Sequence, residues 1–267
     1  MNIPKHRIIG DDLQAAIFTL EPGQSLVSEP GSMMFMNEGI ELETKLDDKE
    51  NSGLMDKLFT AGKRLISGES LFITIFENKS NKVCELAFAA PYPGKIIPIN
   101  LTDFGGEIIC QRDSFLCASR GTDISIAFTK RIGAGFFGGE GFVMQSIKGN
   151  GQAFLHAGGT IHEIELKTGE ILKVDTGCIV AFQPGIDYDI EVVKGVKNLL
   201  FGGEGFFFAV LKGPGKVYLQ TLPFSRLANR IIASAPRSGG SAVEQGGLLS
   251  GGQGGLLGGL GGLIEGD

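Results

Sequence analysis

From residue 5 to about residue 220, apolar residues fall in short runs rich in Val, Ile, Phe and Leu, cut off by Gly, Pro, Asn and Asp. Leu71-Phe-Ile-Thr-Ile-Phe76 and Phe206-Phe-Phe-Ala-Val-Leu211 are of strand length and bounded by turn residues, the mark of β structure. Glycine-rich turns at Lys148-Gly-Asn-Gly-Gln152 and Lys212-Gly-Pro-Gly-Lys216 predict tight hairpins, because glycine tolerates the positive φ they need. Helical spacing occurs at Leu54, Leu58, Ala61 and Leu65 after Ser52, and at Leu227, Ala228 and Ile231 after Ser225, with each serine placed to cap a short helix. The pattern predicts an all-β protein with one or two short helices.

The strand pattern repeats. Phe137-Gly-Gly-Glu-Gly-Phe-Val-Met and the residues up to Leu155 match Phe201-Gly-Gly-Glu-Gly-Phe-Phe-Phe and the residues up to Leu219, a shift of 64. Upstream, Gly106-Glu-Ile-Ile-Cys-Gln matches Gly169-Glu-Ile-Leu-Lys-Val at a shift of 63. A fainter copy precedes both: Pro22-Gly-Gln-Ser-Leu-Val matches the upstream element, and Gly68-Glu-Ser-Leu-Phe matches the glycine-glutamate block. Its two blocks lie further apart than in the later copies, which predicts an insertion near Asp47 to Ile66. The expected organisation is one β body over 1–237 in three units (about 1–98, 99–165 and 166–237), followed by a segment at 238–267.

Composition sharpens that last boundary. The chain has 42 glycines in 267 residues, and thirteen of them lie in the last thirty. A segment so rich in glycine costs much backbone entropy to order, so a flexible tail is expected. Leu248, Leu249, Leu256, Leu257, Leu260, Leu263 and Ile264 make it apolar enough to touch a membrane surface or a partner. No apolar run approaches the ~20 residues of a spanning helix, and the first ten residues lack a signal-peptide core. Cys84, Cys110, Cys117 and Cys178 show no Cys-x-x-Cys spacing and read as buried, reduced thiols. The expected location is the cytoplasm. With 24 Lys and Arg against 30 Asp and Glu, the net charge is −6, which gives nucleic-acid binding no electrostatic support. The 19 phenylalanines accordingly read as core rather than as base-stacking platforms.

Three residue patterns carry candidate chemistry. Gly133-Ala-Gly-Phe-Phe-Gly138 satisfies the dinucleotide fingerprint, but a hairpin rather than a helix is expected to follow it, and the position about twenty residues on is glycine. His156 and His162, with Glu163 alongside, could meet at a metal across the turn at Gly158-Gly159. The third copy places Gln220 where the second has His156, which argues for a surface or strand position instead. Glu69, Glu140 and Glu204 fall at equivalent points of the three copies. They either accept hydrogen bonds from their own glycine turns, the favoured reading, or converge on a cation, and Arg112 and Arg120 could supply counter-charges. No nucleophile and base motif occurs, so no catalytic, cofactor-binding or metal residue is assigned.

Glu29-Pro-Gly-Ser-Met-Met34, Gly68-Glu-Ser-Leu-Phe72, Gln111-Arg-Asp-Ser-Phe-Leu116, Gly139-Glu-Gly-Phe142, Val174-Asp-Thr-Gly177, Gly203-Glu-Gly-Phe206 and Gly213-Pro-Gly-Lys-Val-Tyr-Leu-Gln220 together resemble the altered-inheritance-of-mitochondria twenty-four family. The match runs over roughly residues 10 to 224. The resemblance implies a fold similar to the trp RNA-binding attenuation protein superfamily: three tandem shortened double-stranded β-helix units about a pseudo-threefold axis. It also implies bacterial and archaeal members without assigned biochemistry and fungal members that organise the mitochondrial inner membrane. It supplies no catalytic residues, and fold alone transfers no function.

The expectation is a non-enzymatic structural or interaction protein that associates with itself and reaches a membrane or protein partner through its tail. A small-ligand or RNA-binding regulator is the alternative, with a metal-dependent enzyme built on His156 and His162 behind it.

Overall fold

The computed structural model describes residues 3–29, 31–46, 72–130, 142–192 and 207–235. In chain order its strands are β1 (Lys5–Ile9), β2 (Ala15–Leu20), β3 (Ser25–Ser28), β4 (Met33–Met36), β5 (Ile40–Leu46), β6 (Phe72–Asn78), β7 (Cys84–Ala89) and β8 (Gly94–Asn100). There follow β9 (Glu107–Gln111), β10 (Phe115–Ser119), β11 (Asp123–Lys130), β12 (Phe142–Lys148), β13 (Gln152–Gly158) and β14 (Ile161–Leu166). The last are β15 (Ile171–Asp175), β16 (Ile179–Phe182), β17 (Asp187–Val192), β18 (Phe207–Lys212) and β19 (Gly215–Gln220), before helix α1 (Phe224–Ser234). The fold is all-β.

The strands form four antiparallel sheets: β1-β2-β7-β4, β5-β6-β3-β10-β13-β8, β11-β12-β9-β16-β19-β14 and β15-β18-β17. Every strand number in the second six-stranded sheet exceeds its counterpart in the first by six. A β-bulge recurs at one place in three pairings, between Met33 and Phe35, Phe115 and Cys117, and Ile179 and Ala181. A bulge kinks its strand and raises the local twist, so sheets bulged alike curve alike.

Three cores separate the four sheets. Phe18, Leu20, Leu86 and Phe88 meet Leu26, Phe76, Leu116 and Phe154 between the first two. Val27, Ile99 and Leu155 meet Ile108, Ile147 and Tyr218 between the six-stranded pair. Phe142, Met144 and Val217 meet Val174, Ala209 and Leu211 between the last two. The middle sheets thus face a core on both sides. That is why β3, β10 and β16 are buried at every position, including Ser25, Ser28 and Ser119 at the strand ends. Phe18, Phe76, Phe88, Phe115, Phe142, Phe154 and Phe182 are all buried, as core residues are.

Two local expectations are corrected. The turns after β12 and β18 are not hairpins: β12 and β13 lie in different sheets, as do β18 and β19. Each turn carries the chain round a corner from one layer to the next. Glycine serves close approach there, since a Cβ on Gly215 would stand 2.9 Å from Ile186 Cγ1 at a φ of +146°. Helix α1 begins one residue before Ser225, with Pro223 at the capping position and no side-chain cap. The Arg226 and Leu227 amides both donate to the Pro223 carbonyl, at 3.0 and 3.3 Å, so the first turn closes on the backbone without a serine cap. The helix expected after Ser52, the insertion near Asp47 to Ile66, and the tail at 238–267 lie outside the described residues.

Candidate functional site

His156 sits in the middle of β13, paired with Ile96 of β8, and is 1% exposed. It is a strand position and not a surface one. Its imidazole stands edge-on to Tyr92, ring centroids 4.4 Å apart, and neither ring nitrogen makes a well-formed hydrogen bond, the Tyr92 backbone offering a poor one. Burial pushes its pKa down to about 4, with the Tyr92 backbone pulling weakly the other way, so the ring is neutral near pH 7. Burial, with Asp113 nearby, raises Tyr92 to about 12.

The two histidines do not meet. β13 belongs to one six-stranded sheet and β14 to the other, and His162 and Glu163 are exposed on β14 opposite Leu219 and Tyr218. The turn at Gly158-Gly159 separates layers instead of folding two ligands onto one face. Among the described residues, no three His, Cys, Asp or Glu side chains are grouped as a metal site. Gln220, the third-copy counterpart of His156, is satisfied where His156 is not: it accepts from the Gly158 amide at 2.7 Å and donates to the Gly177 carbonyl at 2.8 Å.

Glu69, Glu140 and Glu204 lie outside the described residues, as does Gly133 to Gly138. The strands flanking the latter, β11 and β12, pair antiparallel with Lys130 opposite Phe142, so the segment joins two neighbouring strands of one sheet. A dinucleotide fingerprint instead joins a strand to a helix. Arg120 is committed to Glu77 at 3.1 Å, a carboxylate that also binds Lys79 at 2.7 Å. The Lys79 hydrogen bond, chief among several effects, holds Glu77 below the ordinary carboxylate range. Arg112 lies in the single turn Arg112–Ser114 between β9 and β10.

The cysteines are unreactive by environment. Cys84, Cys110 and Cys117 are buried and Cys178 half-buried, all as free thiols. Desolvation raises the pKa of Cys110, Cys117 and Cys178, holding each as a neutral thiol, a poor nucleophile and metal ligand.

Sequence reading missed a group of surface features. Large apolar side chains are exposed on β4 (Met33, Met34), on β15 (Ile171) and on α1 (Phe224, Ile231, Ile232). Both strands are sheet edges. The helix is tied down at its start, where Phe224 meets Tyr92 at 5.2 Å and Arg226 binds Asp175 at 2.8 Å, and none of its residues is buried.

The comparisons with known proteins agree with this fold. An uncharacterized protein of Streptococcus pyogenes is 32% identical over 221 residues, 82% of this chain and 86% of that relative. The crystal structure of a Streptococcus pyogenes protein superposes with a TM-score of 0.69 at 26% identity, covering 87% of this chain and 100% of that one. The profile of the family described as Mitochondrial biogenesis AIM24 matches residues 6–222. The chain belongs to that family.

Proposed function

We propose that this protein is a non-enzymatic structural or interaction protein that associates with itself. Its body is read as three tandem units similar to those of the trp RNA-binding attenuation protein superfamily. The offset of six between the two large sheets and the recurring bulge support that reading. Residues 238–267 serve as a tail that contacts a membrane surface or a protein partner, and the site of action is the cytoplasm. No helix among the described residues is long and apolar enough to cross a membrane.

The observation that carries the proposal is the placement of exposed Met33, Met34 and Ile171 on two strand edges that are open among the described residues, whereas β10 and β16 in the middle sheets are buried throughout. Open, apolar edges invite another strand. Light scattering of the full chain after gel filtration tests self-association, with a mass above one chain expected. Vesicle co-sedimentation with and without residues 238–267 tests the tail, and sedimentation unaffected by the deletion counts against a membrane role.

A further inference from the structure

The outer sheets are the two halves of a plan that the six-stranded sheets hold complete. Strands β4, β7 and β2 correspond to β10, β13 and β8; strands β15, β18 and β17 correspond to β9, β12 and β11. In the large sheets the halves join at a seam, β3 to β10 with Cys117 opposite Ser28 and Ala118 opposite Val27. The second seam joins β9 to β16, with Ala181 opposite Cys110 and Phe182 opposite Ile109. Strands β4 and β15 stand where a third seam would form, and each is an edge, paired on one side only among the described residues. Met34 is 54% exposed, whereas Leu116 and Val180, at the same place beside the bulge, are 1% and 0% exposed. Ile171 on the opposite edge is 61% exposed.

We propose that β15 of one chain and β4 of a second copy join as this missing seam, completing a sheet in the order β17-β18-β15-β4-β7-β2-β1 across two molecules. The inference rests on the self-association reading and names the surfaces that carry it. With β15 aligned to β9 through their pairings with β18 and β12, carrying the inner register over puts Phe35 opposite Val174 and Met36 opposite Lys173. A second copy is the occupant because β4 carries the bulge of β10 and β16, β15 holds the place of β3 and β9, and among the described residues of one chain neither edge has a second neighbour. The contact is head-to-tail, so every added chain presents a fresh edge and assembly proceeds to a ring or an open array.

Lys173 holds the seam weak. Val27 and Ile109 occupy its place in the inner seams, whereas Lys173 is exposed and paired to Glu191 at 2.6 Å. A charge on an edge strand opposes strand addition. Lys173→Ile is expected to tighten association about tenfold or more, and Met34→Glu to weaken it by at least as much.

Cysteine pairing tests the register. A chain with Met36→Cys is mixed with a chain carrying Lys173→Cys under mild oxidation, each alone being the control for the four native thiols. A disulfide-linked pair of chains that forms in the mixture and in neither control supports the seam. No such pair in the mixture overturns it, and so does a chain carrying both substitutions that closes on itself as a monomer at high dilution. If Met34→Glu folds with an unchanged thermal transition and still associates as the parent does, the seam is wrong while self-association stands. A parent chain that is monomeric at every concentration removes both.

Discussion

Tyr92 meets the buried imidazole of His156 edge-on, at 77° between planes, and that imidazole makes no well-formed hydrogen bond. The pair joins the turn after β7 to the centre of β13, and Phe224 of α1 meets the same tyrosine at 5.2 Å. A neutral, unpaired base in such a place links folding to pH.

The native imidazole titrates at about 4, against 6.5 for the free side chain. Between those values the unfolded chain binds a proton that the folded chain does not, so stability falls as pH drops through that window and is unaffected above it. The loss is on the order of 3 kcal/mol when complete. Urea unfolding at pH 7, 5.5 and 4 should show it in the parent, and His156→Leu should remove that share of the pH dependence while leaving stability at pH 7 equal or higher.

Gly94 admits the same histidine. A Cβ there would stand 2.1 Å from the Ala157 carbonyl oxygen and 2.5 Å from His156 Nε2. Since Ala157 is also buried and β8 is fixed to β13 along its length, neither neighbour has room to retreat. Gly94→Ala should destabilise by about 2 kcal/mol or more, read as a shifted urea midpoint.

The aromatic core separates packing from surface. Phe154 lies 4.7 Å from Phe18 and 4.8 Å from the His6 ring, fully enclosed, whereas Phe224 is exposed. Phe154→Ala should cost about 3–5 kcal/mol. Phe224→Ala should cost under about 1 kcal/mol, because little area leaves water there on folding.

Much of this fold was legible in the sequence. The β character and the shift of 64 are written in apolar runs and glycine turns, and β12–β13 and β18–β19 fall where the second and third copies align. The corner turns were not legible, because a glycine turn between two apolar strands looks the same whether the strands pair or part into separate layers. The strand position of His156 was legible from its match to Gln220, but its neighbour Tyr92 was not, because the chain crosses between sheets after Gly158 and the two residues are far apart in sequence. The open edges could not be read from β4 or β15 alone. Met33-Met34-Phe35-Met36 is as apolar as Phe115-Leu116-Cys117-Ala118, and only the pairing distinguishes the exposed strand from the buried one.

The thiols report on the closed state of the body. With Cys84, Cys110 and Cys117 buried and Cys178 half-buried, a native sample at pH 8 should react slowly with a thiol reagent, Cys178 first. All four should react at once in denaturant. Rapid native labelling of more than one cysteine would mean that the layers open in solution.

The central claim is that the protein works by association through open edges of its β body. Its most direct test is the mass of the full chain by sedimentation velocity across a wide range of concentrations. The account predicts a mass that rises with concentration above the 28.3 kDa of one chain. A single species at 28.3 kDa at every concentration would contradict it.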